Sequence, residues 1–146
     1  MPGGRPITGR DVHAFLAVFG GDRGDPAALR AAVAPDDAFD DYEQLVTRTL
    51  EELGRLDVLV NNAGMSPLYE RLDTITEELY DKTLAVNLKG PFRLAVLAAT
   101  FMADHDGGSI INVGTAGSLM ASVNELPYAC AKAGMNAMTV GLAEAY

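Results

Sequence analysis

Tyr128 and Lys132 stand four residues apart in the stretch Tyr-Ala-Cys-Ala-Lys. On a helix that spacing puts both side chains on one face, one turn apart. A phenol keeps its proton at neutral pH, and a nearby ammonium favours the phenolate. Such a pair can pass a proton to or from a carbonyl oxygen while hydride moves at the attached carbon. Alone, a Tyr-x-x-x-Lys match is common and most examples are surface pairs, so its meaning rests on its surroundings.

Three further strings precede it in order. Asn61-Asn62-Ala63-Gly64 closes the lead-in Gly54-Arg-Leu-Asp-Val-Leu-Val60. Asn87-Leu88-Lys89-Gly90 follows, and Ser109-Ile-Ile-Asn-Val113 then opens into Gly114-Thr115-Ala116-Gly117-Ser118. Small residues such as Ala63 and Gly64 let backbone approach a ligand closely. Asn87 also suits a plain helix break. Thr115 and Ser118 each offer a hydroxyl that can donate to a substrate carbonyl, though the methyl of Thr115 restricts its rotation. Metal chemistry has little to build on. Cys130 is the one cysteine, and His13 and His105 lie far apart, with no ligand-like spacing.

These groups need a scaffold. The apolar run 14–19, stopped by Gly20-Gly21, reads as a buried parallel strand, as do 57–61 and 109–113. Asp25-Pro26 starts a helix that Pro35 ends. A second helix is expected from about Asp37 to Leu53, with Gly54 as its stop. Thr74 or Thr76 caps a helix over 77–86, broken at Asn87 to Gly90. Further helices run over 91–103 and 127–144, with a turn at 104–108. Strands alternating with helices predict right-handed β-α-β units and a parallel sheet with ligands at its carboxyl ends. Gly20-Gly21, Asn61 to Gly64 and Gly114-Thr115 all fall there.

Taken together, residues 56–146 resemble the short-chain dehydrogenase/reductase family. The resemblance implies an α/β fold: an incomplete Rossmann-like doubly wound parallel sheet, in a single truncated dinucleotide-binding and catalytic domain over 1–146 with an irregular leader at 1–12. It implies an NAD- or NADP-dependent oxidoreductase acting on a small-molecule alcohol or carbonyl. Tyr128 would be the general acid/base and also a cofactor contact, and Lys132 would assist it and hold the nicotinamide ribose. Asn87 would be the proton-relay asparagine, and Thr115, with Ser118 as rival, the substrate hydroxyl. Asn61, Ala63 and Gly64 would lie under the adenosine side of the cofactor.

The family's opening Gly-rich turn has no clean counterpart. Gly20 to Pro26 is either a degenerate version of it or the later Asp-x-x-Asp-Pro segment, in which Asp22 would reach the adenine. On the second reading two strands are missing, and the strand at 14–19 is expected to settle beside 57–61. The family's terminal strands and substrate lid are also missing. A catalytically inactive remnant and a dimerising interaction module are therefore the alternative functions.

The chain's 146 residues, 49% hydrophobic, suffice for one core. A net charge of −9 argues against nucleic-acid or anionic-membrane partners. No signal peptide and no apolar run of membrane-spanning length is visible, so a cytoplasmic location is expected. The helices at 91–103 and 127–143 are apolar nearly all round, which predicts a homo-oligomer formed through them. Cys130 is expected to be a packed core thiol.

Overall fold

A computed structural model describes residues 15–18 and 39–146. The expected leader, the helix beginning at Asp25 and the proposed adenine contact of Asp22 lie outside the described residues. The elements are β1 (Phe15–Val18), α1 (Phe39–Leu53), β2 (Val58–Asn61), α2 (Glu77–Leu84), α3 (Gly90–Ala103), β3 (Ser109–Asn112) and α4 (Leu126–Ala145).

The strands form one parallel sheet in the order β1-β2-β3. Phe15 pairs with Val58, and Val58 in turn with Ser109. The strand expected at 14–19 thus lies beside the one expected at 57–61. Parallel pairing with a helix in each crossover is the β-α-β arrangement the apolar runs predict. The core sits between the sheet and its helices. Leu59 is fully buried, and Leu56, Leu94, Ala95, Ala98 and Met102 pack around it with Tyr42 and Val46 from α1.

Helix ends follow the sequence signals closely. Gly54 takes φ +75° and its N–H returns to the Leu50 carbonyl at 2.8 Å, stopping α1. Of the two candidate caps for α2, Thr76 is the one used: its hydroxyl accepts from the Leu79 N–H at 3.2 Å.

One expectation fails. Asn87 to Gly90 does not break the helix. Residues 85–89 form a π-helical turn, in which the Gly90 N–H reaches back to the Ala85 carbonyl, and α2, this turn and α3 run on as one helix, Glu77–Ala103. A proline ring normally collides with the carbonyl four residues earlier, and the widened turn gives Pro91 room. The merged helix is long and apolar enough, by length and composition, to cross a membrane, which the separate runs did not suggest. In this fold it is a core helix: Leu94, Ala95, Ala98 and Met102 are buried in the core cluster with Leu59 of the sheet and Tyr42 and Val46 of α1.

Candidate active site

The site lies at the carboxyl ends of β2 and β3, where the chain leaves the sheet. Past β2, Gly64 stands against the π turn. A Cβ built on it would lie 3.1 Å from Asn87 Oδ1 and 3.9 Å from Lys132 Nζ. A side chain here would crowd the Asn87 amide oxygen and touch the Lys132 ammonium, so glycine eases the close approach of the Asn61–Gly64 loop to the long helix.

Asn87 is fully buried. Its Nδ2 donates to the Met65 and Thr83 carbonyls, each at 2.8 Å, and its Oδ1 accepts from the Met65 N–H at 3.2 Å. Both amide protons are thus spent on carbonyls. One of them answers Thr83 where the helix changes to the wider turn, and the other bonds fix the loop after Gly64. For a ligand the side chain retains only acceptor capacity on Oδ1.

Lys132 is 2% exposed. Its Nζ donates to the Val113 carbonyl at 2.8 Å, just past β3, and lies 3.8 Å from Met135 Sδ. Burial pushes its pKa below the usual lysine value by disfavouring the charged form. An ammonium carries three donors, so one has no protein partner among the described residues. The Nζ stands 6.0 Å from the centre of the Tyr128 ring. The Tyr128 ring and the ammonium therefore lie on one face of α4, with the ammonium at the tips of both β2 and β3.

The loop between β3 and α4 distinguishes the two hydroxyls. Ser118 Oγ donates to the Thr115 carbonyl at 2.6 Å and accepts from Asn136 Nδ2 at 2.9 Å. Thr115 Oγ1 accepts from the Gly117 N–H at 3.3 Å. The hydroxyl proton of Ser118 is committed to backbone, whereas that of Thr115 has no acceptor among the described residues.

Asn61 turns inward, away from the ligand side. It is 1% exposed, and its Nδ2 donates to Asn112 Oδ1 at 2.8 Å and to the Pro91 carbonyl at 3.3 Å. Asn112 continues the chain to Thr139 Oγ1 at 2.9 Å, and Thr139 donates to the Met135 carbonyl at 2.8 Å. This network ties β2, β3, α3 and α4 together behind the site. Ala63 is buried in the core, so of the expected cofactor segment Gly64 alone presents itself at the surface.

The expected core thiol is also corrected. Cys130 is exposed, because it lies half a turn from the Ala129, Lys132 and Met135 face that α4 buries. His105 is exposed, stacks on Phe101 with ring centroids 3.9 Å apart, and has no ligand-like neighbours. Groups of His, Cys, Asp or Glu able to hold a metal ion are absent among the described residues. Sequence reasoning missed Tyr69. Its hydroxyl donates to the Val123 carbonyl and accepts from the Leu126 N–H at 2.8 Å. No local pattern marks it, since its partners lie more than fifty residues away.

With this geometry in place, similarity to known proteins agrees. Residues 24–146 match the short chain dehydrogenase family. An uncharacterized oxidoreductase of Thermotoga maritima is 42% identical over 116 residues, covering 80% of this chain and 46% of the relative. The L-rhamnose 1-dehydrogenase (NAD(P)(+)) of Azotobacter vinelandii is 38% identical, covering 82% of this chain and 44% of its own length. Among solved structures, a short chain dehydrogenase from Mycobacterium avium superposes with a TM-score of 0.67 at 33% identity, over 74% of this chain and 40% of that one. The chain belongs to the short-chain dehydrogenase/reductase family. It spans less than half the length of the curated relatives it matches.

Proposed function

We propose that the chain carries the proton-transfer centre of a nicotinamide-dependent oxidoreductase that interconverts an alcohol and a carbonyl. The observation that carries this is Lys132: a buried ammonium bonded to the Val113 carbonyl, 6.0 Å from the Tyr128 ring and beside Gly64. The donor set suits a nicotinamide cofactor on its ribose side. Lys132 keeps one N–H for a sugar hydroxyl, and Gly64 leaves the backbone unscreened at the strand tip. When bound, NAD or NADP supplies or takes up the hydride.

In the reducing direction Tyr128 Oη gives its proton to the carbonyl oxygen, and Lys132 stabilises the phenolate left behind. In the oxidising direction the phenolate takes the alcohol proton. Thr115 Oγ1 donates to the same substrate oxygen and orients it, since Ser118 has already committed its proton. Asn87 holds the Gly64–Met65 backbone against the reacting groups, and in the proposed proton relay its part is to position that backbone, because both its amide protons are committed.

A second role rests on a different observation. Cys130, Ala133, Ala137 and Val140 follow one another at helical spacing along α4, and all are exposed. This apolar stripe, with α3 beside it, is proposed to join two copies of the chain.

The test titrates the protein with NADH and NADPH, then follows carbonyl-dependent oxidation of whichever binds. Tyr128→Phe is expected to lower turnover by about 10² to 10⁴ while leaving cofactor binding unchanged. Lack of binding by either cofactor at about millimolar concentration would remove catalysis and leave the interaction role.

A further inference from the structure

The first residues of α4 place Tyr128, yet the helix has no cap of its own. Glu125 occupies the N-cap position without a side-chain hydrogen bond to the helix, and Pro127 lacks an N–H. The Leu126 N–H is among the helix donors that need a partner, and it finds one in Tyr69 Oη at 2.8 Å. The same oxygen donates to the Val123 carbonyl. One phenol thereby closes the turn from Val123 to Leu126 and ends two residues short of Tyr128.

Tyr69 belongs to the loop that follows Gly64. The start of that loop is gripped by Asn87, which bonds both the N–H and the carbonyl of Met65. Tyr69, Thr83, Pro127 and Tyr128 line one narrow crevice. The loop is therefore fastened at one end to the buried asparagine and at the other to the helix bearing the acid/base.

We propose that Tyr69 is a positioning residue whose phenol serves as the N-cap of α4 and fixes the Tyr128 ring relative to Lys132 and Thr115. This rests on the proposed role of Tyr128. A borrowed cap holds the helix start to the loop beside Gly64, so the acid/base and the cofactor-side backbone move as one unit. A cap supplied by Glu125 itself would leave them independent.

The test is Tyr69→Phe, which keeps the ring and removes the bridging oxygen, with Tyr80→Phe as control because Tyr80 is 43% exposed. Two readouts need no activity. In the native chain labelled on its tyrosine rings, Tyr69→Phe should shift the Tyr128 ring resonance, and hydrogen exchange at 123–128 should speed up on the order of fivefold. Residues 135–145 and the sheet should keep their exchange rates, and Tyr80→Phe should change neither readout. With a carbonyl substrate, kcat should fall about ten- to a hundredfold at nearly constant cofactor KM. An unmoved Tyr128 resonance, unchanged exchange at 123–128, or an unaltered kcat in an active protein each overturns the proposal. An inactive native chain defeats the oxidoreductase reading instead, and the resonance and exchange data then decide the role of Tyr69 alone.

Discussion

Lys132 shows what a residue with a proposed role in catalysis costs the fold. Its ammonium is buried, hydrogen-bonded to a backbone carbonyl, and held below the ordinary lysine value of 10.5 by desolvation. The sign of the resulting pH dependence follows from counting protons. Between the lowered folded value and 10.5, the unfolded chain binds more protons at this position than the folded one. Folding stability therefore rises with pH across that window and is lost as pH falls through the folded value. Lys132→Met removes the titrating group and keeps much of the stem, so it should flatten this rise. Urea unfolding of both proteins at several pH values from about 8 to 10.5 measures the difference in slope. Running the comparison in a Tyr128→Phe background keeps the loss of the ammonium from acting through the neighbouring phenol. Equal slopes would show that burial does not load this ammonium. The Tyr128–Lys132 spacing was readable from sequence because a four-residue interval is a local property of helices. The orientation of Ser118 was not readable, because its hydroxyl donates to the Thr115 carbonyl while its oxygen accepts from Asn136, 18 residues away.

At the level of elements, strands and caps were legible where a few adjacent residues decide the outcome. The runs ending at Asn61 and in Asn112–Val113, the Thr76 cap and the Gly54 stop are of this kind. The π turn at 85–89 was not legible. Asn87 and Pro91 each argue for a break, and the bonds of Asn87 to Met65, 22 residues away, join its local bond to Thr83 in favouring a wider turn over an end. The placement of Asn61 was hidden for a similar reason. Its position at a strand tip suggests a ligand contact, while its side chain reaches Asn112 on the next strand and Pro91 on the helix above. That network is the element-scale prediction. Asn61→Ala takes the donor from the part-buried Asn112 amide oxygen, and an unpaired buried polar group costs about 1–3 kcal/mol. Thermal unfolding of the variant should show a loss of that size. A loss within a few tenths would mean that water replaces the asparagine between β2, β3 and α3.

At the scale of the whole molecule, the face outside the site needs a partner more than the site does. Phe92 on α3 is 44% exposed and Val140 on α4 is 70% exposed. Beside Phe92 an open groove is lined by Leu84, Leu88, Gly134 and Met138 together with Glu78, Asp81, Lys82 and Lys89. An apolar lining together with charges of both signs is the pattern of a protein interface, and two copies related by a twofold axis would set each stripe against its mate. A net charge of −9 opposes that approach. Association through apolar helices should therefore strengthen as salt screens the repulsion, whereas association through ion pairs would weaken. Light scattering should give a mass near twice the 15.4 kDa of one chain, with the dimer fraction rising with sodium chloride. Phe92→Asp combined with Val140→Asp should return the protein to the monomer with its helical content intact. Cys130, on the same exposed stripe, gives an independent readout: its reaction with a thiol reagent should slow as protein concentration increases. A single chain mass at every salt and protein concentration, with a concentration-independent thiol rate, would leave this face uncovered and remove the dimer.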